Sequence, residues 1–287
     1  MYKLVYKLYR GVCTSCTGAY EHSKEAKKVT NKVKYMPHIK PSISLTLSLT
    51  LSLTLTLSPP TYATPSCDAL NQALKTQDPH AARAEVKRLL SPRELPRWGY
   101  KRARALLFER VAVAEGGAEA LYTGRRGGGG GGGRGGMNCE HLWPRAWMSK
   151  SDRALFRAQE SDLHNLFVAD TRVNARRGSL PFGETDRSEY PDAAPSEIGR
   201  DAQGREVMEV RPARRGDVAR ALTYMAARWG LRFPTPHARL LVAWSAGDPP
   251  DARERARNDE IERLQGNRNL LVDCPAAVGG VLGVVGE

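Results

Sequence analysis

The chain has 287 residues and a formal net charge of +13, from 44 Lys/Arg against 31 Asp/Glu. That length allows one sizeable domain with extensions, or two small domains. No uninterrupted apolar run approaches the ~20 residues needed to cross a bilayer, so no stable membrane insertion is expected.

Residues 1–40 hold nine Lys/Arg against two Glu and little apolar periodicity, which reads as a basic, flexible segment. Beyond it Arg far outnumbers Lys. Guanidinium forks match phosphate oxygens, so a polyanionic partner fits, although a gene rich in Arg codons would leave the same excess. From Ile43 to Leu57, Leu alternates with Ser or Thr; period two is formally a strand pattern, but low-complexity sequence explains it more simply. A third reading starts translation at Met36. Residues 36–40 are then a short basic start, the Leu-rich stretch an apolar region and Thr61-Tyr62-Ala63 a cleavage site. Segment 36–63 would be a secretory signal, and the protein secreted, organellar or otherwise extracytoplasmic.

The Cys13-Cys16 pair lacks a second pair at zinc spacing. Cys67, Cys139 and Cys274 allow one disulfide and one free thiol, and their spacing does not say which.

The folded part is expected to start near Cys67, giving a low-complexity extension over 1–65, a domain over 66–275 and a tail over 276–287. Helical spacing occurs over 80–90 and again over 100–110. Val111-Ala112-Val113 and Ala120-Leu121-Tyr122, around Gly116-Gly117, read as a β-hairpin. The glycine-rich insertion 125–136 has no Gly-Lys-Ser/Thr after it and is no phosphate-cradling loop; a mobile linker is the simpler reading than a single-strand-binding RGG segment. A helix over 216–229 puts Val218, Ala221, Leu222, Met225 and Trp229 on one face, with Asp217 placed to cap its start and Gly230 its end. Further helices are expected over 237–244 and 251–265.

Chemistry concentrates between Asn138 and Phe182. Glu140 and His141 are adjacent and soon followed by Pro144; His164, Asn165 and Asn174 come later, then Arg176-Arg177. Hydrolysing a phosphodiester takes a base for water, a cation against the developing charge, and stabilisation of the leaving oxygen. An imidazole of ordinary pKa near ~6.5 suits the first. A Glu carboxylate and an Asn amide oxygen suit Mg²⁺, Ca²⁺ or Mn²⁺, and Arg176 and Arg177 suit phosphate. Structural roles compete: Asn138 orienting the turn before Glu140, His164 as a buried histidine, Trp143 and Trp147 as packing residues, and Arg268 as a brace.

This block resembles the endonuclease I family of periplasmic and secreted nucleases. Asn138, Glu140, His141, Pro144 and Trp147 match an N-x-E-H-x-x-P-x-x-W signature. Asp162-Leu163-His164-Asn165-Leu166, Val173-Asn174, Arg177 and Pro181-Phe182 match a second one, and the likeness runs in order from about Cys67 to Cys274. The resemblance implies an α+β fold, mostly helical, built as a single domain around a ββα-metal (His-Me finger) motif. It further implies His141 as general base, Glu140 and Asn174 as ligands of one divalent cation, Arg177 among the catalytic residues, and cleavage of DNA, with RNA as a second substrate, to 5′-phosphate ends. A monomer is expected. The rival reading is a catalytically inactive, basic nucleic-acid-binding protein. The sequence departs from the family pattern at Gly178-Ser179, at Leu270-Leu271 and at Cys274, and no residue maps onto the additional arginine that some relatives carry.

Overall fold

The computed structural model describes residues 66–92, 98–127, 136–186, 195–233 and 237–285, all within one unit of the chain, residues 59–287. The signal-like segment 36–63, the Cys13-Cys16 pair and most of the glycine run lie outside the described residues.

In chain order the elements are α1 (Cys67–Leu74), α2 (Pro79–Leu89), α3 (Tyr100–Leu106), a π-helical turn (Leu107–Val111) and α4 (Ala112–Ala114). Then come β1 (Met137–His141), α5 (Arg153–Glu160), β2 (Leu166–Asp170) and α6 (Thr171–Arg177), followed by β3 (Glu197–Arg200) and β4 (Glu206–Glu209). The remainder is helical: α7 (Arg215–Trp229), α8 (Ala238–Gly247), α9 (Ala252–Gln265), α10 (Leu270–Asp273) and α11 (Val278–Val285). Among the described residues the fold is α+β, helices with two small antiparallel sheets, β1-β2 and β3-β4.

Local chemistry sets the ends of these elements. Ser66, Asp78, Asp152 and Asp251 cap α1, α2, α5 and α9 with side-chain oxygens on first-turn amides, and Pro79 opens α2 with φ already helical. Gly230 closes α7 at φ 64°, as its position after the apolar stripe predicts. Asp217 differs from expectation. The helix already begins at Arg215, so Asp217 lies inside its first turn and ion-pairs with Arg214 instead of capping.

Helix α7 is the hub. Every residue from Gly216 to Arg228 is buried, and α2, α8 and α11 pack around it. A second core joins Leu106, Leu107, Phe108 and Val111 to Met137, Cys139, Leu166 and Val168 of the β1-β2 sheet. Two expectations fail here. Val111–Val113 is helical, not a strand, because Val111 enters this second core on a helix face. The tail expected over 276–287 is helical over 278–285: Val278, Val281, Leu282 and Val285 bury α11 in the main core, burial overriding weak Gly/Val helix propensity. Cys67 and Cys274 form the disulfide, with Cα atoms 5.6 Å apart, leaving Cys139 free and buried.

Candidate active site

Strands β1 and β2 pair antiparallel, Met137 opposite Asp170 and His141 opposite Leu166, and α6 follows directly on β2. Strand alternation sends Met137 and Cys139 into the second core and leaves Asn138 and Glu140 on the opposite face, where α6 lies. There the Asn174 amide Nδ2 donates to Asn138 Oδ1 at 2.9 Å and to the Cys139 carbonyl at 3.2 Å. Both bonds use the nitrogen, which fixes the amide's orientation. Asn174 Oδ1 has no protein partner among the described residues.

Glu140 is 3% exposed. Its Oε1 accepts from the Tyr122 hydroxyl and from Arg177 Nη1 at 2.9 Å, and its Oε2 accepts the His141 amide at 3.0 Å. A carboxylate oxygen has two lone-pair sites, so Oε2 retains capacity for one more contact. Burial pushes the Glu140 carboxyl up from the ordinary carboxylate value, against the opposing pull of Arg177, Tyr122 and the His141 amide.

His141 places Nε2 2.9 Å from the Glu160 carbonyl oxygen. A carbonyl only accepts, so Nε2 carries the proton and Nδ1 keeps its lone pair in the neutral ring. Burial lowers the imidazole to about 4, outweighing the Glu160 bond and helped by the Arg145 and Arg177 charges. The ring stays neutral at physiological pH. Tyr100 packs on it at 5.1 Å between centroids.

Glu140, His141, Arg145, Asn174 and Ser179 line one open cavity of about 390 Å³. Three of the expected residues thus meet: Glu140, His141 and Asn174. Arg177 does not join them at the cavity wall. It is 1% exposed, and its guanidinium donates to Glu140, to the His141 and Leu142 carbonyls and, through Nε, to Leu180. Those bonds brace Glu140 from behind. Arg176 is exposed.

The competing structural roles account for other residues. Asn138 orients Asn174. His164 is buried, with Nε2 donating to the Asn267 carbonyl at 3.1 Å, and Trp143 packs edge-on against Trp147. Arg268 binds Asp259, Glu262 and Asp273, bracing α9 to α10. Sequence reasoning missed Arg145, which lines the cavity and lies 2.9 Å from Glu160 Oε2. Its one signal was position, immediately after the proline of the first motif. Tyr122 was missed as well, because its partner Glu140 is 18 residues away.

Residues 114–276 match the family model described as Endonuclease I. The chain is 34% identical over 129 residues to an extracellular deoxyribonuclease of Aeromonas hydrophila, covering 43% of this chain and 53% of that protein. It is 34% identical over 159 residues to an extracellular ribonuclease of Bacillus subtilis (strain 168), covering 49% and 52%. A second A. hydrophila extracellular deoxyribonuclease is 30% identical over 183 residues, covering 62% and 70%. The chain spans about half the length of the first two relatives. With the matched region covering more than half of its residues and enclosing the whole cavity, the chain belongs to the endonuclease I family.

Proposed function

We propose that this protein is a metal-dependent endonuclease that hydrolyses DNA, and RNA as a second substrate, with little sequence preference, leaving 5′-phosphate ends. The observation that carries this reading is the shared cavity lined by His141, Glu140 and Asn174, residues that bear an unprotonated imidazole Nδ1, a carboxylate oxygen with spare capacity and an unpartnered amide oxygen. The relatives named as deoxyribonucleases and ribonucleases support both polymers as substrates.

The donor set fits a hard divalent cation. Glu140 Oε2 and Asn174 Oδ1 are oxygen ligands of the kind Mg²⁺, Ca²⁺ or Mn²⁺ takes, and the open cavity leaves room for water and phosphate. Held by these two residues, the ion would supply Lewis-acid stabilisation of charge on the scissile phosphate and the leaving 3′ oxygen. His141 Nδ1 accepts the proton of the attacking water, while the Glu160 carbonyl holds the ring and its tautomer. Arg145, exposed at the rim, is the guanidinium available to a non-bridging phosphate oxygen. Arg177 and Tyr122 position Glu140. In this reading β1, β2 and α6 are the ββα-metal finger.

Little sequence preference follows from a site built of phosphate- and ion-directed groups without base-reading side chains in the cavity. The Cys67–Cys274 bridge suits an oxidising compartment, and the named relatives are extracellular, so we place the protein outside the cytoplasm. Among the described residues no helix is long and apolar enough to cross a membrane.

A plasmid-nicking assay with and without EDTA, with His141→Ala as control, tests the function. Nicking that needs the metal and disappears in the variant supports it. Tight DNA binding without cutting would instead favour an inactive binding protein. Sequencing the N-terminus of the native protein tests removal of segment 36–63.

A further inference from the structure

The chain that runs from the candidate active site into α5 carries four cations, Arg145, Lys150, Arg153 and Arg157, against two acids, Asp152 and Glu160. Both acids are engaged. Asp152 Oδ1 accepts the Ala154 and Leu155 amides at the start of α5, and Glu160 Oε2 lies 2.9 Å from Arg145. Lys150 and Arg153 are exposed, and among the described residues neither has a carboxylate partner. Arg157, one turn after Arg153, lines a separate cavity with Trp98 and Trp229.

An exposed lysine is ordinarily a mobile, solvated charge. Lys150 is held. Its Nζ donates to the Arg145 carbonyl at 2.7 Å and lies 5.3 Å from the centroid of the Phe156 ring, which the Arg145 guanidinium also approaches at 5.4 Å. The turn that carries it is fixed as well: the Ser149 amide donates to Oε1 of the buried Gln159, and Ser149 Oγ accepts the Asp152 amide. Two of the three ammonium donors of Lys150 have no partner among the described residues. Ordering a long cationic side chain costs about 2 kcal/mol, and here part of that cost is met before any ligand arrives. Arg153 opens α5 three residues before Phe156, on the same helix face, so it belongs to this cluster.

The cluster adjoins the proposed chemistry through Arg145, which lines the cavity shared by Glu140, His141 and Asn174 and whose carbonyl holds Lys150. A ligand reaching from that cavity over this surface must present anionic oxygens at intervals, as a polynucleotide backbone does. We propose that Lys150 and Arg153 form a second phosphate subsite, which takes a backbone phosphate neighbouring the scissile one on the same strand. The inference rests on the nuclease reading above. Such contacts set the register of the strand and carry no base preference.

The test reads binding by a chain that cannot cut: the full chain carrying His141→Ala, in EDTA, titrated into labelled oligothymidylate at a series of KCl concentrations and followed by fluorescence anisotropy. Each phosphate contact to a single strand contributes about 0.7 to the slope of log affinity against log salt. Lys150→Gln and Arg153→Gln should therefore each flatten that slope by about 0.7, and Lys150→Arg should restore it. Lys87→Gln, which removes an exposed charge from α2, away from the cavity wall, should leave the slope in place. Slopes unchanged in both Lys150→Gln and Arg153→Gln overturn the proposal, as does an equal flattening by Lys87→Gln, which would mark a diffuse effect of net charge. If circular dichroism shows that Lys150→Gln is unfolded, Arg153→Gln decides alone. Failure here leaves plasmid nicking untouched, and failure to nick does not alter a salt slope read in EDTA, so the two readings fall separately.

Discussion

Arg177 and Glu140 form an ion pair at 2.9 Å with side-chain exposures of 0% and 4%, so the carboxylate proposed to hold a cation is braced from behind by a guanidinium that solvent does not reach. Removing one partner of such a pair leaves the other charge buried and uncompensated.

Arg177→Ala should therefore lose stability as well as activity, by about 3–5 kcal/mol. Arg177→Lys should rescue little, because one ammonium cannot reproduce the bonds to Glu140, Leu142 and Leu180 together. Urea unfolding checks this. A direct phosphate role for Arg177 would instead raise KM and leave the unfolding midpoint in place.

Asn138 acts on the proposed ion only through Asn174, whose amide nitrogen it accepts. Asn138→Ala should raise the Mg²⁺ concentration for half-maximal nicking by about 10–100-fold, the usual effect of losing a partner behind a ligand. The rate at saturating Mg²⁺ should change far less. An unchanged Mg²⁺ dependence would show that the amide needs no such support.

His164 gives a pH dependence of stability. Burial lowers its imidazole to about 4, despite Asp162 and the Asn267 carbonyl. The unfolded ring titrates near ~6.5, so between those values the unfolded chain binds a proton that the folded chain refuses. Stability should fall as pH drops from about 6.5 towards 4, by on the order of 3 kcal/mol from this group, and its share should level off below. Denaturation midpoints across that range, compared with His164→Gln, isolate the contribution; a variant with the same slope would refute it.

Gly216 has no room for a side chain: a Cβ there would lie 1.9 Å from the Asp248 carbonyl oxygen, a backbone atom. The Gly216 amide also donates to Asp248 Oδ2 at 2.9 Å, which ties the start of α7 to the end of α8. Gly216→Ala should cost at least the ~1–3 kcal/mol typical of overpacking. Gly247→Ala is the control, because nothing lies within 4 Å of its Cβ position. It should be neutral or gain up to ~1 kcal/mol. Equal melting temperatures for the two variants would contradict the close approach.

What the sequence revealed divides along physical lines. Helices α7 and α9 were legible because periodicity and end signals, Gly230 and Asp251 among them, are local properties. Glu140, His141 and Asn174 were legible because the motifs that carry them are short. The face and partner of a long side chain were not. Arg177 fits phosphate chemically, and only the path of β1 past α6 shows its guanidinium spent on Glu140 and backbone carbonyls. Val111-Ala112-Val113 looks like a strand because β-branched residues alternate there, yet its neighbours supply a helical surface for the second core. Glycine and valine over 278–285 carry almost no local helix signal, so α11 is specified by the groove that receives it.

The bridge between Cys67 and Cys274 spans 207 positions and encloses every residue of the candidate active site. The intervening chain is therefore a covalent ring. A protease that severs one peptide bond anywhere inside it opens the ring without liberating a fragment, and the nicked molecule should migrate as a single band until a reductant is added. Clipping alone thus leaves His141 and Asn174 in one covalent molecule.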